Sequence, residues 1–341
     1  MFDLEKLIRP NIKALKAYSS ARDEFSGEAS IFMDANENPY GTLNRYPDPY
    51  QRKLKNRIRE LKEIEEENIF VGNGSDEIID LCFRIFCQPG KDKALTFTPT
   101  YGMYRVSSNI NDVELLQLPL DATFDLSEAL VEKALAHENL KLIFICSPNN
   151  PTGNALNPAL IEKLLKGFSG LVIVDEAYAD FTEEESWISK LEDYPNLLVM
   201  QTLSKAYGLA SARIGMGFAS ADVIQLFNKV KPPYNISQPN QEAALEALQG
   251  QGVFHKNLRS IKKEKKRLEK AFTSIEVIQK IYPSAANFIL VEVTNANSLY
   301  QKLLSTGLVV RNRHSQIPNT LRITVGTPEE NKRLLELLRD A

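Results

Sequence analysis

The chain has 341 residues, 43% of them apolar and 25% charged, which is enough for a large buried core and, by length, about two domains. Its 41 lysines and arginines nearly balance 44 aspartates and glutamates, a net charge of -3 that argues against a nucleic-acid footprint or a polybasic membrane anchor and leaves small molecules as the expected partners. No run of about 18 apolar residues occurs and charges interrupt the N-terminal stretch, so neither a membrane span nor a secretory signal is expected and the chain reads as cytoplasmic.

In chain order, residues up to about 30 mix polar and apolar positions, with a short helical pattern ending near Tyr18, and read as an arm. IFMDANENPYG then reads as a short apolar strand running into a loop of turn formers, among them Asn36, Glu37 and Gly41. Pro47 and Pro49 of NRYPDP open a charged amphipathic helix, near whose start proline is tolerated. From Ile69 short apolar strands alternate with amphipathic helices, the sign of a parallel sheet with crossover helices. IFV meets GNGSDE, KALTF runs into TPTYGMY, KLIFIC ends at SPNNPTG, LVIV at DEAYADF and LLVMQT at LSKAYG. Polar clusters therefore sit at the carboxyl ends of five strands, the ligand edge of an open α/β sheet.

GNGSDE presents backbone amides at a helix start, where unpaired N–H groups and the dipole suit a phosphate; a capping turn is the plainer alternative. Glu77 stands where a dinucleotide fingerprint needs its third glycine, and no GxxxxGK[ST] occurs. LVIVDEAY has the look of a Walker B strand, but without a Walker A lysine an ATPase has no phosphate cradle. Asp175 is otherwise a fixed negative charge able to hold a proton on a heterocyclic nitrogen, with Tyr178 three residues on to donate to a phenolate-like oxygen. Asn150 sits on a prolyl turn and Tyr101 just past a strand, where a ring can stack on a flat ligand, although such turns and core tyrosines are common.

The segment TLSKAYGLASARIGMG sets Lys205 among small residues, with Ser204 before it and Arg213 eight positions on. Desolvation beside other cations lowers a lysine pKa and makes the amine a nucleophile toward carbonyls. A lysine on a small-residue turn is the bland alternative. Cys82, Cys87 and Cys146 lack CxxC spacing and read as buried thiols, and three scattered histidines suggest no metal site.

Beyond Pro232 and Pro233, KNLRSIKKEKKRLEKAF keeps an apolar helical stripe with interleaved glutamates and reads as a solvated face. Strands near Phe288 to Val293, Leu308 to Arg311 and Leu321 to Val325, with helices between, make a small α+β domain. The expected division is an arm over 1–43 that partly joins the small domain, a large domain over 44–235 and the small domain over 236–341.

In that order, GNGSDE, PTYGMY, SPNNPTG, DEAY and LSKAYGLASARIG resemble the fold type I aminotransferases that use pyridoxal 5'-phosphate. AYSSAR, DANENPYG, NRYPDP and LRITVGTPEEN are similar, within that group, to the histidinol-phosphate aminotransferase family. The resemblance implies an α/β fold, with a mostly parallel seven-stranded sheet carrying helices on both faces and a small α+β domain beside it. It implies ping-pong transfer of an amino group between histidinol phosphate and 2-oxoglutarate, giving imidazole acetol phosphate and glutamate.

By the same resemblance Lys205 forms the Schiff base with the cofactor and shuttles the proton, Asp175 pairs with the pyridinium nitrogen, Tyr178 and Asn150 bond the phenolic oxygen and Tyr101 stacks on the ring. Ser75, Asp76, Glu77, Ser204 and Arg213 match the phosphate anchor, and Tyr46 matches a tyrosine given across a homodimer interface. Arg322 and Arg311 match arginines that read the substrate, with Arg313 leaving open which of the pair at 311 and 313 faces it. Tyr18 matches an aromatic cover, and Asn36 and Glu37 fall near the substrate. Other expectations are an aromatic amino acid aminotransferase, a threonine-phosphate decarboxylase and a non-catalytic binding protein on the same fold.

Overall fold

The computed structural model describes residues 2–18 and 31–340; the AYSSAR motif lies outside them from Ser19 onward. Seven strands, β1 (Ile69–Asn73), β2 (Lys93–Thr98), β3 (Glu114–Pro119), β4 (Leu140–Cys146), β5 (Leu171–Asp175), β6 (Leu197–Thr202) and β7 (Ile214–Phe218), form one sheet. Their order is β1-β7-β6-β5-β4-β2-β3. The central strands β5 and β6 are buried along their whole length, as continuous apolar runs covered on both faces must be.

The sheet is mostly parallel, as expected, and its one antiparallel strand has a clear cause. β7 pairs antiparallel with both β6 and β1, whereas the β2–β3, β2–β4, β4–β5 and β5–β6 pairs are parallel. Segment 203–213 between β6 and β7 contains only one 3-10 turn, Ala210–Ala212, too little chain for a parallel crossover.

Two apolar layers cover the sheet. α3 (Arg52–Lys62), α6 (Glu128–Leu135), α7 (Pro158–Gly167) and α9 (Gln238–Gln249) send Leu54, Ile58, Val131, Leu164 and Leu248 into one. α4 (Ser75–Phe86), α5 (Met103–Ile110) and α8 (Ala221–Val230) build the other with Ile78, Phe83, Tyr104 and Phe227. α4 buries seven of its residues, more than an amphipathic stripe, because it packs against α5 and α8 as well as the sheet.

The described helices of the arm pack on the large domain. Within the described residues α1 (Leu4–Leu7) and α2 (Pro10–Ala14) bury Leu7, Ile8 and Ile12 in the α4 and α8 layer. Arg9 N–H donates to Ile85 O, and Lys229 Nζ to Lys13 O. Residues 31–33 form no strand; Ile31 and Met33 are exposed.

The second sheet, β10-β11-β9-β8, is antiparallel throughout: β8 (Ile278–Ile281), β9 (Phe288–Val293), β10 (Arg311–Asn312) and β11 (Thr320–Thr324). α10 (Gln251–Phe272), α11 (Ala296–Ser305) and α12 (Pro328–Arg339) close its core with Leu268, Phe272, Leu299 and Leu335. Thr327 and Glu330 start α12 with a reciprocal capping box. A small cluster of Tyr178, Phe181 and Ala206 against Phe254 and Phe288 fastens this unit beside the carboxyl edge of the large sheet. No described helix is long and apolar enough to cross a membrane.

Candidate active site

The polar strand ends meet in one cleft, lined by Ser75 and Asp76 after β1, Tyr101 after β2, Asn150 after β4, Asp175 and Tyr178 at the end of β5, and Ser204, Lys205 and Arg213 between β6 and β7. It lies at the carboxyl edge where strand order reverses between β2 and β4, the switch point at which open α/β sheets bind ligands.

Lys205 opens into the cleft, with Nζ 5.8 Å from the centre of the Tyr178 ring. Burial among the surrounding chain, and then the Arg322 charge, push its pKa below the ordinary lysine value, while Asp175 and Asp76 oppose the shift. Asp175 is buried, and burial raises its pKa to about 6 against the pull of two hydrogen bonds. Tyr104 Oη–H donates to Oδ2 at 2.7 Å and Ala177 N–H to Oδ1 at 3.1 Å, so the carboxylate is fixed from behind and faces forward.

Tyr178 is buried edge-on against Phe288, and burial lifts its phenol pKa, keeping the hydroxyl a donor. Tyr101 donates to Asp76 Oδ1 at 3.1 Å and stands edge-on to Tyr104.

The first turn of α4 meets β7 at very close range. A Cβ on Gly215 would lie 2.4 Å from Gly74 C and Ser75 N, and Gly74 itself has φ of 75°. Only backbone fits there, so the unpaired N–H groups of the helix start stay open beside Ser75, Ser204 and Arg213. Thr202 Oγ1 accepts from Ser204 N–H at 3.1 Å and donates to Ile214 O at 3.0 Å, which fixes the serine.

Asp76 orients this anchor more than it supplies one: its carboxylate takes Arg213 Nη2 at 3.3 Å as well as the Tyr101 hydroxyl. A carboxylate repels phosphate, whereas the guanidinium it holds attracts one. The Glu77 carboxylate accepts from Asn73 N–H and from Asn235 Nδ2 at 2.9 Å and does not line the cleft, which leaves its backbone as what it can offer a phosphate.

On the small-domain side Arg322 of β11 donates to Asn150 Oδ1 and lies 5.1 Å above Phe288. Asn150 is therefore held by arginine, on a turn fastened by Asn149 to Pro99 O and Thr152 Oγ1. Arg313 reaches toward the same Oδ1 at 3.5 Å; Arg311 is exposed, opposite Arg322 in the sheet register.

Four expected residues are not brought to the cleft of this chain. Tyr18 is 69% exposed. Asn36 and Tyr46 line a separate groove with Leu43 and Pro239, where Tyr46 stacks on Tyr234 with ring centres 4.4 Å apart. Glu37 lies there too: its carboxylate binds Arg45 Nη1 and Tyr46 N–H, making it a brace for Tyr46. The sequence reading missed Tyr104, which sits three residues after Tyr101, in the first turn of α5.

The sequence matches the family "Aminotransferase class I and II" over residues 28–338. A histidinol-phosphate aminotransferase of Parabacteroides distasonis is 50% identical over 344 residues, covering 100% of this chain and 99% of that one. Among solved structures, the histidinol-phosphate aminotransferase of Sinorhizobium meliloti in complex with pyridoxal-5'-phosphate superposes with a TM-score of 0.81 at 23% identity, over 90% of this chain and 89% of that one. L-threonine-O-3-phosphate decarboxylase of Porphyromonas gingivalis shares the fold with a TM-score of 0.73 at 22% identity, over 87% and 90%.

Proposed function

The chain belongs to the class I and II aminotransferase family, and on that premise we propose that it uses pyridoxal 5'-phosphate to transfer an amino group between histidinol phosphate and 2-oxoglutarate in histidine biosynthesis, by a ping-pong mechanism. The observation that carries this reading is the set of groups converging on one cleft: a lysine of lowered pKa, a buried carboxylate held by two hydrogen bonds, a phenol kept protonated, a phosphate cradle and an arginine that meets Asn150.

The residues fit that cofactor. The Gly74–Gly215 contact, Ser75, Ser204 and Arg213 form a cradle that only an oxyanion completes. When bound, pyridoxal phosphate supplies an electrophilic carbon and a ring that withdraws the electron pair released at the substrate Cα. Asp175, backed by Tyr104 and Ala177, presents the negative charge that keeps a ring nitrogen protonated. With the cofactor bound, Tyr178 Oη–H and the Asn150 amide N–H would donate to the neighbouring ring oxygen, and Tyr101 would lie against the ring. Lys205 Nζ, whose pKa is lowered by burial and by the Arg322 charge, takes a proton from the substrate Cα and returns it. Arg322 offers its planar fork to the anionic end of either substrate.

The active unit is a homodimer in the cytoplasm, with Tyr46 given across the interface. Supporting this, Tyr46 is half-exposed outside its own chain's cleft, on a surface with exposed Met33, Tyr40 and Leu43. The test is a half-reaction without keto acid: the holoenzyme is titrated with histidinol phosphate, phenylalanine or threonine phosphate while cofactor absorbance is followed. Conversion to the aminated cofactor at low histidinol phosphate, with phenylalanine far weaker, is expected. Preference for phenylalanine, or carbon dioxide released from threonine phosphate, would refute the substrate assignment.

A further inference from the structure

A second carboxylate is buried next to Asp175 and does not line the cleft. Glu176 follows Asp175 at the end of β5 and is 4% exposed. The two side chains leave opposite sides of the chain: Asp175 meets Tyr104 in one apolar layer, while Glu176 meets the segment at Trp187, which packs on the other. Glu176 Oε2 accepts from Ser186 Oγ–H at 2.5 Å and from Gln201 Nε2 at 2.8 Å, and Oε1 accepts from Trp187 N–H at 2.7 Å. All three donors are neutral. Burial raises the Glu176 pKa against the pull of these bonds. A charge buried among neutral groups costs stability, but an amide in its place would offer one acceptor oxygen to three donors.

These bonds converge on the two strand ends that deliver the groups of the cleft. Glu176 N–H donates to Met200 O at 2.7 Å and its carboxylate takes Gln201, so main chain and side chain together tie the end of β5 to the end of β6. One residue beyond Gln201, Thr202 holds Ser204 ahead of Lys205. One residue beyond Glu176, Ala177 N–H is one of the two donors to Asp175. Glu176 O accepts from Ala179 N–H at 3.0 Å, closing the turn that holds Ala177 and Tyr178. The described connection from β5 to β6 has the 3-10 turns Ala179–Phe181 and Trp187–Lys190 and no α-helix, so the Glu176 side chain does the fastening there.

We propose that Glu176 is a positioning residue of this site: its carboxylate, by fastening Ser186, Trp187 and Gln201, sets the peptide that aims Asp175 and Tyr178 at the cofactor. The inference rests on the pyridoxal phosphate reading of the cleft. Without that anchor the Ala177 amide is no longer fixed, Asp175 loses one of its two hydrogen bonds, and its charge is held less firmly toward the ring nitrogen. A ring nitrogen that is less firmly protonated places less positive charge opposite the nitrogen of Lys205, which then keeps its own proton to higher pH.

The experiment compares wild-type, Glu176→Ala, Glu176→Gln and Glu264→Ala proteins by thermal melts, by pyridoxal phosphate titration of the apoproteins and by the pH midpoint of cofactor absorbance in the holoenzymes. Glu264 is also a buried carboxylate, bonded to Asn331 Nδ2 at 2.9 Å in the small domain, and controls for lost stability alone. In Glu176→Ala the pyridoxal phosphate dissociation constant is expected to rise about tenfold or more, and the midpoint to move up by about half a pH unit. Glu176→Gln, which keeps one acceptor and the side-chain length, should lie between Glu176→Ala and wild type. Glu264→Ala should melt lower with both cofactor values unchanged. Wild-type cofactor values in Glu176→Ala despite a lower melting temperature overturn the inference, as do equal changes in Glu264→Ala. Should Glu176→Ala not fold, Glu176→Gln decides: weaker cofactor binding with a raised midpoint sustains the role, and wild-type values defeat it. A wild type that takes up no pyridoxal phosphate defeats the reading of the cleft and this inference with it.

Discussion

At the scale of single residues the cleft works by opposed charges whose pKa values are pushed in useful directions. Lys205 is lowered by its surroundings and by Arg322, so Lys205→Ala removes both nucleophile and proton carrier. Turnover is expected to drop by at least about a hundredfold, and borohydride should no longer fix the cofactor to the chain; retained fixation would move the nucleophile elsewhere. Asp175 gives a test with a sign. Its folded pKa of about 6 lies above the ordinary carboxylate value, so the folded apoprotein binds more protons than the unfolded chain between about pH 4 and 6. Its contribution to stability is therefore present below that window and lost as pH rises through it, by about 3 kcal/mol in total. Denaturant unfolding of wild-type and Asp175→Asn apoproteins should show the variant gaining by that amount, relative to wild type, from pH 4 to 7. Parallel curves would mean that Asp175 is not desolvated. Tyr104→Phe deletes a donor to the ionised form and should push that loss of stability to higher pH.

At the scale of elements, the phosphate cradle depends on β7 lying against the first turn of α4. Gly215→Ala puts a methyl into backbone at 2.4 Å, whereas Gly217→Ala meets the Ile78 side chain at an ordinary 3.5 Å. Gly215→Ala should cost about 1–3 kcal/mol of stability and weaken cofactor binding, while Gly217→Ala stays within about 0.5 kcal/mol. Thermal melts and cofactor titration of both variants decide; equal behaviour would show that the close approach does not matter. This contact also explains the strand directions, because reversing β7 brings its N-terminal end, with Arg213, to the same edge as the carboxyl ends of its neighbours.

For the whole molecule, the proposed homodimer would place a second copy of the chain over the exposed apolar surface around Tyr46. If Tyr46 serves the partner's cleft, a mixed dimer of Lys205→Ala and Tyr46→Phe chains contains one site with both residues intact. Random exchange of the two weakly active variants should then restore about a quarter of wild-type activity. No recovery after confirmed subunit exchange would place Tyr46 in its own chain's site or in none.

The sequence by itself determined the large sheet, the edge on which ligand groups gather, and the cleft positions of Lys205, Asp175, Tyr178, Tyr101 and Arg213, because apolar strand runs and the polar residues ending them are local signals of burial and exit. Side-chain direction was decided by the tertiary structure. Glu77 sits in the right motif yet turns to Asn235, a partner 158 residues away, and Tyr104 reaches Asp175 across 71. The arm's docking on α4 and α8, and the advance of Arg313 past Arg311, likewise arise from contacts between distant segments. Local pattern says that a residue leaves the core at a strand end; which acceptor its side chain finds there depends on what the rest of the chain packs opposite.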